Sequence, residues 1–344
     1  MFDLYNKHIH LLMLQKGNLF SLFLILIIGL ATSSLKLSAQ EYRPHPLLSS
    51  MWQADIEYLA PSQVEDTTLK NGFTGGSFNY RFPIYKGKDW LSADGGKPFI
   101  AVLGQAGTTV RQTEINFVEP NRLLTNLKTS ITGLIATGAS SLRNLFLLQI
   151  NSSLPTESFW FKPQFLRFNG AFIWRKLYHN NRFWHTLGIV YSPLTGRDIL
   201  LPVIGGGYKI NKENQIQITL PFNIAYTHLF SKKFSLSIKI NSNGSFNYLK
   251  PDTLHFNDPL IYRQRYQKLS ISGRYYTDRH VVLTPEIGLT GRSKLSLDEN
   301  KSTQASTFYF KLSLQVRFGK RPAASPILNF DPGDSGFDPN YLLE

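Results

Sequence analysis

The 344-residue sequence has no cysteine, three methionines, and only 23 acidic side chains against 37 Lys and Arg. Without cysteine there is no disulfide-stapled extracellular scaffold, no thiolate metal site and no cysteine nucleophile. Charged residues of both signs make up only 17% of the chain. After residue 40 there is no run of 18 or more apolar residues. A mature chain that enters a bilayer therefore has to cross it as strands and not as helices.

What is present begins with an address. Lys7 and Lys16 precede the apolar run Leu19-Phe-Ser-Leu-Phe-Leu-Ile-Leu-Ile-Ile-Gly-Leu30, and a Ser-rich stretch then ends in Leu37-Ser-Ala-Gln40. The run is short for a spanning helix and small residues follow it closely, so it reads as a signal peptide cleaved after Ala39. Met13 is an alternative start, and an uncleaved anchor is the less favoured reading. Cleavage leaves 305 residues, Gln40 to Glu344, and losing Lys7, Lys16, Lys36 and Asp3 takes the formal charge from +14 to +12. For an exported chain this surplus points away from nucleic acid and towards anionic headgroups or an anion-tolerant lumen.

Period-two alternation dominates the mature chain. In Phe308-Tyr-Phe-Lys-Leu-Ser-Leu-Gln-Val-Arg-Phe318, the residues Phe308, Phe310, Leu312, Leu314, Val316 and Phe318 share one face, and Lys311, Ser313, Gln315 and Arg317 share the other. A helix would scatter these positions around its circumference. Eleven residues at about 3.3 Å each, tilted by about 40°, cross a thin hydrocarbon layer. The same pattern recurs at Phe234–Ile240, Leu269–Tyr275, Val281–Leu289 and Ile216–Leu220. Less regular alternation marks segments near 50–60, 73–83, 98–107, 122–136, 142–152, 160–176, 182–192 and 200–210.

The turns Asn211-Lys-Glu-Asn214, Ser231-Lys-Lys233 and Tyr276-Thr-Asp-Arg-His280 are too short for parallel crossovers and demand antiparallel pairing. Longer polar stretches near 84–97, 249–266 and 292–305 read as loops, which suggests short turns on one rim and long loops on the other. Pro221 leaves open whether 214–230 is one strand or two, giving thirteen or fourteen segments. The resulting expectation is an all-β, antiparallel transmembrane barrel of about 12 strands, within a range of 10 to 14. It divides the chain into a signal peptide (1–39), a periplasmic lead-in (40–49), an outer-membrane barrel (50–318) and a flexible Pro/Asp-rich tail (319–344). The tail repeats Phe330-Asp-Pro332 as Phe337-Asp-Pro339.

No residue pattern specifies catalysis, a cofactor or a metal. His179 and His185 sit among Arg175, Lys176 and Arg182 and make poor metal ligands; His228, His255 and His280 are isolated. Gly205-Gly-Gly207 lacks the spacing of a phosphate loop and fits curvature, a close aromatic neighbour or lumenal space. Lys239, Arg274, Lys311 and Arg317 fall on the polar faces and would give a barrel a basic lumen favouring a small anionic solute. Pairing with carboxylates such as Glu286 is the competing account of those cations. Trp52, Trp90, Trp160, Trp174 and Trp184 are candidates for interfacial aromatic girdles. Tyr262-Arg-Gln-Arg-Tyr-Gln-Lys268 is a candidate contact for lipopolysaccharide phosphates.

With these strands in view, the chain resembles outer-membrane β-barrel proteins of uncharacterised function common in Bacteroidota. The resemblance rests on Leu37-Ser-Ala-Gln40, Phe183 to Tyr191, Leu201-Pro-Val-Ile-Gly-Gly-Gly-Tyr208, Ile216-Gln-Ile-Thr-Leu-Pro221 and Ala225-Tyr226, and it covers most of residues 50–318. It implies a barrel fold and an outer-membrane location, with outer-membrane lipids as partners. It brings no substrate and no catalytic residue. The leading function is a non-enzymatic barrel, either a small pore or a structural component. A secreted soluble β-sandwich binding glycan or protein and a lipid-modifying outer-membrane enzyme are the alternatives.

Overall fold

The computed structural model describes residues 50–65, 70–86, 99–115, 119–137, 142–178, 182–192, 199–211, 213–221, 223–231, 233–250, 259–277, 281–297 and 300–318. The expected signal peptide, lead-in and tail lie outside the described residues, as do Trp90, His179, His255 and His280. Among the described residues no helix is long and apolar enough to cross a membrane.

The strands are β1 (Met51–Gln63), β2 (Lys70–Lys86), β3 (Phe99–Ile115), β4 (Glu119–Thr137), β5 (Leu142–Glu157), β6 (Arg167–Tyr178), β7 (Phe183–Ser192) and β8 (Ile199–Lys209). They continue as β9 (Asn214–Leu220), β10 (Asn223–Ser231), β11 (Phe234–Leu249), β12 (Leu260–Tyr276), β13 (Val281–Thr290), β14 (Ser293–Leu297), β15 (Asn300–Gln304) and β16 (Thr307–Arg317). From β1 to β12 each strand pairs antiparallel with its sequence neighbour. β12 passes to β13, β13 to β16, and β16 back to β1. The ring is closed and leaves no sheet edge, which is what hydrocarbon demands of a β-structure.

β13 and β14 run along β12 one after the other, interrupted at Gly291 and Arg292, and β15 and β16 form the matching return. The wall therefore has fourteen staves, the top of the expected range. Pro221 separates β9 from β10, so the two-strand reading of 214–230 is the observed one. A single closed ring also overturns the soluble β-sandwich, which needs two packed sheets.

The rims differ from the expectation. The three short turns, Ser50 and Phe318 share one rim, and Phe318 N–H donates to the Ser50 carbonyl at 2.8 Å. β2 also ends on this rim, so the polar stretch from 84 departs beside the short turns and not opposite them. The stretch 292–305 is not a loop but the β14–β15 hairpin, and the last part of 249–266 is wall, because β12 starts at Leu260. Serine, lysine and glutamine there hid the strands: once a hairpin rises past the lipid, neither of its faces has to be strongly apolar.

Alternating exposure defines the two faces. Ile238, Ile240, Leu269, Ile271, Ile287, Leu289 and Phe308 are half-exposed on the outside, and so are Ile131, Leu148, Ile150, Phe172, Ile189, Leu200 and Ile218. Their sequence neighbours Asn241, Lys268, Ser270, Ser272, Glu286 and Tyr309 are buried inside. Polar-in and apolar-out around a closed ring is the pattern of a barrel with lipid as its outer solvent.

The calibre changes along the axis. Towards the rim opposite the chain ends, β6 to β10 stop short while β1–β5, β11, β12, β14 and β15 continue. β11 then meets β5 directly in a parallel bridge, Tyr248 to Thr156, and closes a second ring of nine strands. Phe165, Phe246 and Tyr248, backed by Trp160, Leu154 and Ile261, pack at that junction. Glu157 fastens it, accepting from Arg122 at 2.8 Å and from the Lys250 N–H at 2.8 Å. Eight strands leave an interior just wide enough for side chains and sixteen leave an aqueous channel. Here the wall passes from nearly the wide case to nearly the narrow one.

Candidate functional site

The interior is built from register. Partners across an antiparallel pair share a face, so Lys239 opposite Ser270, Arg274 opposite Ser235, Lys311 opposite Glu57 and Arg317 opposite Met51 all belong to the inner face. The structure thus brings the four cations singled out from sequence onto β11, β12 and β16 of one wall. Lys311 does not stand alone there. Its ammonium lies 3.5 Å from Asp55 and 3.3 Å from Glu57, and Arg111 reaches Glu57 at 3.0 Å. Lys268 is bound to Glu286 at 2.5 Å and lies 3.9 Å from the centre of the Tyr309 ring.

Asp55, Glu57 and Arg111 are inner-wall residues that the sequence reading missed, and Lys268, read there as part of a lipopolysaccharide contact, joins them. A signal existed for two of them: Asp55 and Glu57 alternate with Ala54, Ile56 and Tyr58, as they would in an outward-apolar strand. Glu286 takes Lys268, which is none of the four cations singled out, whereas Lys311 finds its carboxylates in Asp55 and Glu57.

A second part of the interior is apolar. Leu103, Leu134, Leu147, Ile173, Trp184 and Val190 are among the buried side chains that cluster along β3–β8. Trp184 is only 4% exposed and belongs to this cluster, so it is no girdle residue. Its ring lies against Gly207, where a Cβ would collide with it. That contact is the reason a glycine is needed in this strand.

The remaining described tryptophans lie elsewhere. Trp52 faces outward near the rim of the chain ends, 5.0 Å from the Phe318 ring and 6.2 Å from Tyr80. Trp174 faces outward beside His185 and bonds Asn144 at 3.1 Å. Trp160 sits at the β5–β11 junction, 5.0 Å from Phe165 and with the Lys162 ammonium 4.4 Å above it.

The motif 262–268 is split by alternation. Tyr262, Gln264, Tyr266 and Lys268 turn inward and are buried, leaving Arg263, Arg265 and Gln267 on the outer face. Arg265 pairs with Lys294, and Arg263 with Ser296, which faces Lys301 on β15. A cationic strip therefore stands just past the outward Leu269 and Ile271. Lys268 drops out of it, because a one-residue step in a strand reverses the face.

Where the calibre steps down lies a cavity of about 130 Å³, continuous with the Lys311 and Asp55 side of the interior. Its lining includes Asn79, Gln105 and Asn126, the cations Lys128 and Arg167, and the ion pair of Lys311 with Asp55. Among the described residues no group of three His, Cys, Asp or Glu side chains is placed to hold a metal. His185 shares a hydrogen bond with Tyr178 at 3.1 Å and His228 with Asn214 at 2.7 Å, so neither is paired with a serine or a carboxylate as a hydrolase triad requires.

A family model described as a domain of unknown function, DUF6268, matches residues 141–321, more than half of the chain. The chain belongs to this family. The DUF6268 match opens at β5 and runs through β16, and so takes in the junction of β5 with β11 and the wall of β11, β12 and β16.

Among solved structures, the barrel is similar to the translocator domain of autotransporter NalP from Neisseria meningitidis. That match has 8% identity and a TM-score of 0.30, covering 88% of this chain and 98% of that one. It is also similar to the transport unit of the autotransporter AIDA-I from Escherichia coli, with 10% identity, a TM-score of 0.32 and coverage of 83% and 94%. A third is the toluene transporter TodX of P. putida, with 8% identity, a TM-score of 0.21 and coverage of 79% and 91%. Among curated proteins, none matches the chain. The DUF6268 chain is a closed antiparallel β-barrel with an apolar outer face and a largely polar inner one.

Proposed function

We propose that this barrel is a narrow channel for small polar anions, with the nine-strand end as its constriction. One observation carries the reading: a cavity lined by four cations, Arg111, Lys128, Arg167 and Lys311, against the single carboxylate Asp55 lies inside a lipid-facing wall where that wall narrows. Cations on the inner face lower the cost of bringing an anion into a low-dielectric interior. The buried pairs of Lys268 with Glu286 and Lys311 with Asp55 make this a constricted passage and not an open diffusion pore.

Reconstitution into planar bilayers tests the reading. The expected result is a small conductance whose reversal potential in a salt gradient shows anion preference, reduced by Lys128→Gln. A heat-modifiable, folded sample with no conductance, or with cation preference, overturns it. A sealed structural barrel is the second reading, favoured by the ion pairs that pack one side of the interior, and it predicts no conductance.

The address belongs to the same proposal. Residues 1–39 act as a cleaved leader that delivers the chain to the outer membrane, of a Bacteroidota cell on the resemblance of its motifs, and 319–344 form a tail at the rim of the chain ends, which faces the periplasm. Arg263, Arg265, Lys294 and Lys301 then stand at the height of the outer-leaflet headgroups and contact lipopolysaccharide phosphates. Mass spectrometry of the secreted chain checks cleavage after Ala39, and copurified lipid lost in a quadruple Gln variant checks the headgroup contact.

A further inference from the structure

An apolar and a charged side of the lumen face each other. β5, near the centre of the apolar cluster on β3–β8, and β12, on the charged side, stand seven strands apart by either route around the closed ring. Both sides begin at the rim of the chain ends. Leu177 and Trp184 on one, and Arg274 and Arg317 on the other, lie within two residues of their strand ends there. The inner faces of β1, β11, β12, β13 and β16 carry five cations, Lys239, Lys268, Arg274, Lys311 and Arg317, against three carboxylates, Asp55, Glu57 and Glu286. The charged side is therefore net basic.

The apolar side is covered from within. Ala101 and Val190 are inaccessible and Ala171 and Val203 nearly so, although all four point into the lumen. Fourteen staves about 4.8 Å apart make a ring roughly 21 Å across before tilt widens it. Neighbours on one sheet face pack flank to flank without capping one another, so an alanine methyl there is hidden only where something lies against it. Residues 319–344 follow Phe318 at this rim, and they repeat one unit, Phe330-Asp-Pro332 and Phe337-Asp-Pro339. Proline holds the residue before it in extended backbone, and in extended backbone successive side chains leave on opposite sides. Each copy thus sends a ring one way and a carboxylate the other, as a chain lying between an apolar and a cationic wall requires. Gly333 and Gly336 between the copies let each take its own orientation. Reach is ample: Phe330 lies 12 residues beyond Phe318, about 40 Å of extended chain, and the whole of β16 is 11 residues.

We infer that residues 319–344 fold back and dock inside the barrel, with Phe330 and Phe337 against the apolar side of β3–β8 and Asp331 and Asp338 towards the cations of β11, β12 and β16. Residues 40–49 join the same rim at Ser50, but their Tyr42-Arg-Pro44 has a cation where the tail has its acid. Charge therefore selects the tail. The docked tail closes the anion passage; that closure rests on the channel reading, and the docking does not.

The chain has no cysteine, so introduced pairs report on the docking without background. In the detergent-folded full chain, Ala171→Cys combined with Phe330→Cys or Phe337→Cys is expected to form an intramolecular disulfide on mild oxidation. The outward Phe172→Cys with the same partners should form none. No bond from either tail position to Ala171→Cys, in samples that keep heat-modifiable migration, overturns the docking. So does a bond from Tyr42→Cys to Ala171→Cys in place of the tail, which gives the lumen to residues 40–49. Val203→Cys replaces Ala171→Cys where that variant does not fold. Adding Asp331→Asn and Asp338→Asn should lower the bond yield about threefold or more, and an unchanged yield overturns the role of the cations. Conductance of the bonded chain is expected to rise about tenfold or more on reduction, and equal conductance before and after overturns the closure. A bond with no conductance in either state upholds the docking and removes the channel, whereas conductance without any bond does the reverse.

Discussion

The Lys268 ammonium meets the Glu286 carboxylate inside the barrel although the two residues are not register partners. Lys268 pairs with Thr290 and Glu286 with Ser272. The lysine runs along the inner face past Gly288 and under the Tyr309 ring, and both charges end up nearly inaccessible, at 2% and 4% side-chain exposure. Such a pair is costly to break and cheap to replace. Glu286→Gln should destabilise the refolded barrel by about 3–5 kcal/mol, because it strands a buried ammonium. The double variant Lys268→Met with Glu286→Leu should lose less than that single one. Urea titration in detergent, read by tryptophan fluorescence, gives both values; a Glu286→Gln variant as stable as the parent refutes the burial.

Trp184 and Gly207 should behave as one unit. Gly207→Ala pushes a methyl into the indole and is expected to cost about 1–3 kcal/mol, and Trp184→Ala about 3–5 kcal/mol. Combined, they should cost clearly less than the two losses added, since the clash disappears with the ring. A double-mutant cycle by urea titration measures this, and strict additivity contradicts the contact.

Charge on the outer face should be tolerated according to height. Ile271→Arg, within the outward apolar band, is expected to cost about 2–4 kcal/mol on folding into lipid vesicles, whereas Thr74→Arg on the extended end of β2 should cost about 0–1. Equal costs would mean that the band does not mark the hydrocarbon.

The junction of β5 with β11 should loosen when Glu157 is lost. Charge-assisted hydrogen bonds of this kind contribute about 1.5–3 kcal/mol each. Glu157→Ala is accordingly expected to speed amide exchange at Tyr248 and Lys250 by roughly ten- to a hundredfold, while amides of β7 and β8 stay protected. Unchanged exchange at Lys250 would show that the nine-strand ring closes without it.

Alternation in Phe308–Phe318, Leu269–Tyr275 and Phe234–Ile240 is enough to establish strands and their apolar faces, because a helix would scatter those positions; whether the apolar faces meet lipid or a second sheet is decided by closure of the ring. Turns as short as Ser231-Lys-Lys233 add antiparallel order, and Pro221 marks a reversal. These are local properties, written in consecutive residues. Which tryptophan faces lipid is not local: Trp174 and Trp184 are alike in sequence surroundings, yet they fall on opposite faces of β6 and β7. Nor is the pairing of Lys311 with Asp55, since closure of the ring brings β1 beside β16 from opposite ends of the chain. The step to nine strands, and the cavity beneath it, depend on β11 reaching β5 across five strands that stop short. Only the folded barrel, where strand length and closure act together, decides that.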